Sequence, residues 1–347
     1  VFEFLTHEET VMTEKKQSMR RGLSKLVGSL ILLGVGLAAT NLVQAQDFPI
    51  KGKPVRIIVS FPPGAGPDSM ARVLLPKLSE VLGVPVVIEN KPGAGTVLSA
   101  QEVMKSAPDG HTIFFSASST MAQAPHTLKI ATYDPVTAFT PISMGARGPL
   151  VIIVNSALGV NSVPELIAYG KANPGKLSYG SFGVGTSSHI FGQVFAKNVG
   201  VPMEHIPYKG GAEMVADLTE GRLPMAFDAA PQAIQTQKTG RAKIIAVASP
   251  KRNAFMPNVP TVLEQGVKDL DITSFIAWFG PAGMKPEVVA KLNAALTQAI
   301  AQPAVSANYN ESAYSAESST PAELAADVKK AYEAWGRLVK ESGIPKQ

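Results

Sequence analysis

Six short stretches of this 347-residue chain, 62–68, 90–95, 117–125, 182–187, 209–211 and 229–231, are rich in glycine, serine and threonine and nearly empty of Asp, Glu and His. Such stretches offer few general bases. They offer many backbone N–H groups that a bound group can approach closely, because glycine leaves the main chain uncovered. Where a helix follows, its first turn adds amides without intrahelical acceptors and a partial positive charge. The chemistry on offer is capture of an anion by main-chain donors. Hydrogen bonds to a charged group contribute about 1.5–3 kcal/mol each, and micromolar binding needs about 8.2 kcal/mol net. About four to six such bonds, less the cost of immobilising the guest, reach that range.

Other chemistries fit these residues less well. GAGPD and GVGTSS each place G-x-G between a strand and a helix, as a dinucleotide site does, but lack the third glycine and a clear acidic residue on a following strand tip. A serine hydrolase needs G-x-S-x-G, whereas Gly180-Ser181-Phe182-Gly183 has the wrong spacing. The five histidines, His7, His111, His126, His189 and His205, show no metal-ligand spacing, and His189, early in a helix, reads as structural. No catalytic residue, cofactor or metal is expected. Asp68 either favours its helix N-terminus electrostatically or touches a ligand. Asp228 either caps the next turn or faces the ligand. Lys209 is either a solvated lysine or a carboxylate partner. Trp278 reads as core.

The elements that must position these loops follow one repeated pattern: a short β-branched run, a loop, then an amphipathic helix. Strands are predicted at 55–61, 86–89 and 112–116, with helices over 69–82 and 96–106. The pattern resets with a strand at 150–154 and a helix at 162–172, where Ser162 and Glu165 stand at capping-box spacing. Strands in LSYGS, MEHIPY, PMAFD and KIIAVAS follow, separated by helices near 189–198, 212–220 and 233–238. Alternation of this kind predicts parallel pairing in α/β sheets, and two successive sets predict two similar lobes. In such sheets ligands bind at the carboxyl edge of the strands, where all six loops fall. Helices over 286–301 and 321–341, each opened by proline, are predicted to pack back on the first lobe.

Ahead of this pattern, residues 19–45 carry a basic start (Arg20, Arg21, Lys25), an apolar run and small residues at Val43 and Ala45, the three-part pattern of a secretory signal peptide cleaved after Ala45. Residues 1–18 read as an upstream mis-start, with Met19 the true start. Removing five Lys/Arg and four Asp/Glu lowers the formal charge from +5 to +4. The charges are scattered, so nucleic acid is not an expected partner. Cysteine is absent, which excludes disulfides, thiolate metal sites and lipidation on cysteine.

The stretches VRIIVSFPPGAGPDSMAR (55–72), VVIENKPGAG (86–95), APDGHTI (107–113), YDPVTAFTPI (133–142), ELIAYGKANPGKLSYGSFGVGTSSH (165–189), HIPYKGGAEMVADL (205–218) and PAGMKPEVVAKLN (281–293) follow one order. In that order the chain resembles the Bug family, the periplasmic receptors of tripartite tricarboxylate transporters. The resemblance implies a type II-like periplasmic-binding-protein fold: two α/β lobes with a hinged ligand cleft, here 48–149 plus 275–347 and 150–274. It implies a periplasmic receptor that closes on a small organic carboxylate (a di- or tricarboxylate, acidic amino acid or aromatic acid) and serves integral membrane subunits. Separately, because no later stretch is long and apolar enough to span a bilayer, the mature protein is expected to be soluble, and a monomer is expected. A sensor feeding a membrane kinase is the alternative, and a nucleotide-binding enzyme a more distant one. The expected ligand-binding residues are Phe61, Gly64, Ala65, Gly66 and Asp68, Ser118 and Ser119, then Ser181, Gly183, Gly185, Thr186, Ser187 and Asp228. Where family members usually have GGGTD, this chain has Gly64-Ala65-Gly66-Pro67-Asp68, and Pro67 removes an N–H and a hydroxyl from the cradle.

Overall fold

The computed structural model describes residues 48–208, 211–270, 274–311 and 313–347. The expected signal segment, the stretch before it and Lys209 lie outside the described residues. Contacts within Phe48–Gln347 form one compact unit.

The chain begins with β1 (Val55–Val59), α1 (Gly66–Arg72), α2 (Leu75–Leu82), β2 (Val86–Asn90), α3 (Val97–Met104) and β3 (Thr112–Ala117). A π-turn at Ser119–Gln123 and a helical turn at Ala124–Thr127 lead to β4 (Phe139–Gly148). Next come β5 (Leu150–Asn155), α4 (Val163–Ala172), β6 (Ser178–Ser181), α5 (Ser187–Val199), β7 (Glu204–Pro207), α6 (Gly211–Thr219), β8 (Met225–Ala229), α7 (Ala230–Lys238) and β9 (Ala242–Ala248). The chain then returns through β10 (Ser274–Pro281), α8 (Pro286–Ile300), α9 (Pro303–Glu311), β11 (Ser315–Ala316) and α10 (Pro321–Ser342).

Two sheets result, with strand orders β11-β4-β10-β3-β1-β2 and β7-β6-β8-β5-β9. Apart from the short β11, the orders mirror each other. In each sheet a strand arriving from the other sheet, β10 or β5, inserts antiparallel between the third and fourth strands. The sheets are therefore mixed, where alternation predicted parallel pairing throughout. The inserted strands keep the strand-then-helix pattern but reverse direction, because each enters its sheet at the carboxyl edge of its neighbours. Strand β4 was also missed. Pro141, Gly145 and Gly148 make it read as loop, yet it pairs with β10 over its whole length through two register shifts. Pro141 is tolerated because β11 covers only Ala146 and Arg147 on the other side.

The helix expected over 69–82 is two helices. Pro76 sits in the first turn of α2, where its missing N–H breaks no bond, and Val73–Leu74 form the joint. Ser162 does cap α4, accepting from the Glu165 N–H, but the Glu165 carboxylate accepts from the Asn161 N–H, so no reciprocal box forms. The full box lies at Thr320 and Glu323, opening α10.

Alternation along the strands sorts the core. Ile57, Val59, Phe115 and Trp278 face a layer made by α1, α2, α8 and α9, while Val151, Ala226 and Val247 face α6 and α7. The opposite faces of both sheets share one cluster, from Ile58 and Phe114 to Ile152, Tyr179 and Phe227. Helix α10 makes that continuity possible. It packs on the π-turn and β4, as expected for the first lobe, but also on α5 of the second, with Trp335 and Phe191 at 5.4 Å between ring centroids.

Candidate functional site: facing strand tips

The register fixes how the sheets meet. Strand β5 enters the second sheet with Leu150 opposite Ala229 and Ala248, the last residues of β8 and β9. Strand β10 re-enters the first with Ser274 opposite Gly148 and Ile276 opposite Ala117, the ends of β4 and β3. Both crossings join the sheets at their carboxyl edges, so the two sets of strand tips face each other across the crossing strands. At this level Gly185 of the second lobe lies close to Thr127 of the first: a Cβ added to the glycine would stand 3.5 Å from the Thr127 Cβ.

On the first wall, Phe61, Gly64, Ala65, Gly66 and Asp68 follow the tip of β1. Asp68 is buried, and three donors saturate it: Gly64 N–H and Arg72 Nε on Oδ2, both at 2.8 Å, and Asn90 Nδ2 on Oδ1 at 2.8 Å. Burial would raise this carboxyl; the bonds from Arg72, Asn90 and Gly64 outweigh it and hold the group below the ordinary range. Of the two roles open to Asp68, the geometry describes a brace for its own loop. The same bond occupies the Gly64 amide, counted in sequence as an available donor. Ser118 starts the π-turn and accepts weakly from the Phe275 N–H at 3.4 Å, anchoring the returning strand. Ser119 beside it is half-buried.

Sequence reasoning missed a second feature of this wall. Five hydroxyls from four segments form a chain at the strand tips: Ser99 to Ser60 (2.9 Å), Ser60 to Ser116 (2.8 Å), Ser116 to Thr120 (2.7 Å) and Thr120 to Thr96 (2.6 Å). Serines ending the runs VRIIVS and TIFFS were the available signal, but only the sheet brings them together.

The second wall is the loop after β6. Most of its amides are spent within it. Phe182 N–H donates to Ser188 Oγ, Gly183 N–H to Ser181 Oγ, Gly185 N–H to His189 Nδ1 and Thr186 N–H to the Gly183 carbonyl. Gly183 and Gly185 have φ of +119° and +78°, values that side chains oppose. Among the described residues, the N–H groups of this segment left without a bond are that of Val184 and, ahead of the first i→i−4 bond made by Ile190, those of Ser187, Ser188 and His189 in the first turn of α5. The Gly183 and Gly185 amides, expected as donors to a ligand, are spent inside the loop, so on this wall the first turn of α5 supplies most of the unpaired N–H groups. His189 stacks on His205 at 3.7 Å between centroids, and His205 Nε2 lies 2.6 Å from Ser181 Oγ. Burial, then the neighbouring His189, pushes His205 down to about 4, and burial lowers His189. Both rings are neutral near pH 7 and serve as loop supports.

Continuing the parallel register from Gly180 and Ala226 brings Asp228 level with Phe182, at the root of this loop. Asp228 is fully buried. Oδ1 accepts from the Ala229 N–H at 2.7 Å, while Oδ2 has no partner among the described residues. Burial, opposed by the Ala229 bond, pushes its carboxyl up to about 7. Trp278 is core, its ring 4.2 Å from that of Phe115. Among the described residues no three His, Asp or Glu side chains converge as a metal site, and no helix is long and apolar enough to cross a membrane.

The profile of the tripartite tricarboxylate transporter family receptors matches residues 70–344. The chain is 31% identical to protein BugT of Bordetella pertussis over 323 residues, 90% of this chain and 97% of that one. Among solved structures it is similar to the periplasmic binding protein BugD, with 32% identity, a TM-score of 0.70 and coverage of 85% and 99% of the two chains. An R. palustris protein solved with adipate gives 29% identity, a TM-score of 0.75 and coverage of 87% and 100%. These neighbours share the two-lobed periplasmic-binding-protein fold.

Proposed function

The chain belongs to the tripartite tricarboxylate transporter receptor family, and from that membership we propose that it is a periplasmic receptor, not an enzyme, that closes its two lobes on a small organic carboxylate. The tip-to-tip joining of the sheets carries this reading, because it turns the loops of both lobes toward one ligand. The first turn of α5 supplies N–H donors and the positive end of a helix dipole to a carboxylate. Gly183, Gly185, Thr186 and Ser187 shape that turn. Phe61, Gly64, Ala65, Gly66, Ser118 and Ser119 line the facing wall, braced by Asp68, and Asp228 lies at the root of the second. Ligand contacts with both lobes favour the closed state, which a monomer presents to integral membrane subunits. The adipate bound to the R. palustris relative supports a carboxylate as guest.

The test is a thermal-shift screen of succinate, adipate, malate, citrate, glutamate and benzoate, with sugars and amines as controls. At about 100 times Kd, a binding acid adds about 2.7 kcal/mol. Gly183→Asp puts a negative charge beside the cradle and should abolish the response, while Gly183→Asn strains the same backbone without charge and should keep part of it. A response to sugars or amines but to none of the acids overturns the reading.

A further inference from the structure

The turn between β2 and α3 holds a backbone conformation that its residues resist. Ala94, Gly95 and Thr96 follow one another at φ of +46°, +61° and +79°. A β-branched residue in the left-handed region is a marked outlier, and such strain persists only where surrounding structure enforces it. Here Thr96 is held by three bonds: its N–H donates to the Gly93 carbonyl at 2.9 Å, its carbonyl accepts from Ser99 Oγ at 2.7 Å, and its Oγ1, where the hydroxyl chain ends, accepts from Thr120 Oγ1 at 2.6 Å. The turn stands where the lobes lie close: a Cβ on Gly95 would meet Leu128, and the adjacent Thr127 is the residue that lies close to Gly185 of the second lobe. Thr96 is half-exposed, whereas the other four hydroxyl residues are buried.

The direction of the chain is set by its protons. Ser116 donates to Thr120 and Thr120 to Thr96, so Ser60 donates to Ser116, and Ser60 accepts from Ser99, whose one proton is shared with the Thr96 carbonyl at 2.7 Å. Thr96 then holds the terminal O–H, which turns back on the carbonyl of the preceding Gly95. Each donor in such a run polarises the next, so the last is the strongest. A neighbouring-residue carbonyl is a poor acceptor in direction, and a carboxylate oxygen is a better one.

We propose that the Thr96 hydroxyl is a ligand-contacting donor on the first lobe, held in a strained turn and sharpened by the Ser99–Ser60–Ser116–Thr120 relay to take a carboxylate oxygen. This rests on the carboxylate-receptor reading and adds to it a specificity-determining side chain that none of the loop glycines supplies. Thr96 touches the guest; Ser60, Ser99, Ser116 and Thr120 are positioning residues.

The experiment measures, by calorimetric titration and thermal shift, the wild type, Thr96→Gly, Thr96→Val and Ser116→Ala against the same six acids. Thr96→Gly removes the hydroxyl but suits a positive φ, so its unliganded melting point should stay level or rise while affinity for the best acid falls about tenfold or more. Thr96→Val should lose affinity similarly, and Ser116→Ala, which interrupts the relay upstream, severalfold. A structural role makes the opposite prediction, a lower melting point with affinity intact, and that result in Thr96→Gly overturns the proposal. If no acid binds the wild type, the carboxylate-receptor reading itself fails, an outcome separate from unchanged binding by the variants.

Discussion

Two groups on the second wall, a buried Asp228 and a half-buried His205, respond to pH in opposite senses. Asp228, raised to about 7 in the fold, binds its proton more tightly folded than unfolded. It therefore destabilises progressively as pH climbs from the ordinary carboxylate range toward 7. Asp228→Asn should match the wild type near pH 4 and exceed it at pH 8, by on the order of 2 kcal/mol in urea unfolding. No gain at pH 8 would mean that a partner holds the ionised carboxylate. His205 is lowered to about 4, so its unfolded form binds the extra proton. Its contribution is complete above the ordinary histidine value of about 6.5 and is lost as pH falls toward 4. His205→Gln should flatten that acid limb of a melting-point profile; an unchanged limb would place the acid sensitivity elsewhere. At this scale sequence could name Asp228 and leave its two roles open. Whether a carboxyl is orphaned depends on neighbours on other strands, which spacing does not encode.

The helices and strands that carry the site obey local rules, and most were legible. Prolines open α2, α8 and α10 in the first turn, and the G-x-G loops mark where β1 and β6 end. What local rules omit is the closeness of layers. Helix α5 lies against β6 so tightly that a Cβ on Gly192 would run into the ring of Tyr179. Tyr179 in turn stacks on His205 and donates to the His189 carbonyl at 3.2 Å. Gly192→Ala has a favourable helix propensity, yet overpacking here should cost about 1–3 kcal/mol or more in urea unfolding. A stabilised variant would show that α5 has room to move off the sheet. Because Tyr179 supports the His205–Ser181 contact, the same change should weaken acid binding.

The two lobes are tied at molecular scale by α10, through a fully buried Trp335 against Phe191 and Lys197 Nζ donating to the Glu341 carbonyl at 3.3 Å. Trp335→Ala opens a cavity in the core shared by both lobes and should cost about 3–5 kcal/mol, read from urea unfolding of the unliganded protein. A loss below about 1 kcal/mol would show that the lobes are coupled by the crossing strands alone. Sequence by itself determined the α/β class, the doubling into two sets, the loops at the strand ends and the chemical bias toward an anion, because periodicity, turn residues and composition act over a few neighbouring residues. Tertiary structure alone decided which amides stay free, that Asp68 braces its loop, that β5 and β10 run antiparallel, and that hydroxyls from Ser60 to Thr120 join in one chain. Those outcomes turn on which atoms from distant segments come within about 3 Å, and in one dimension that information is carried by no single stretch.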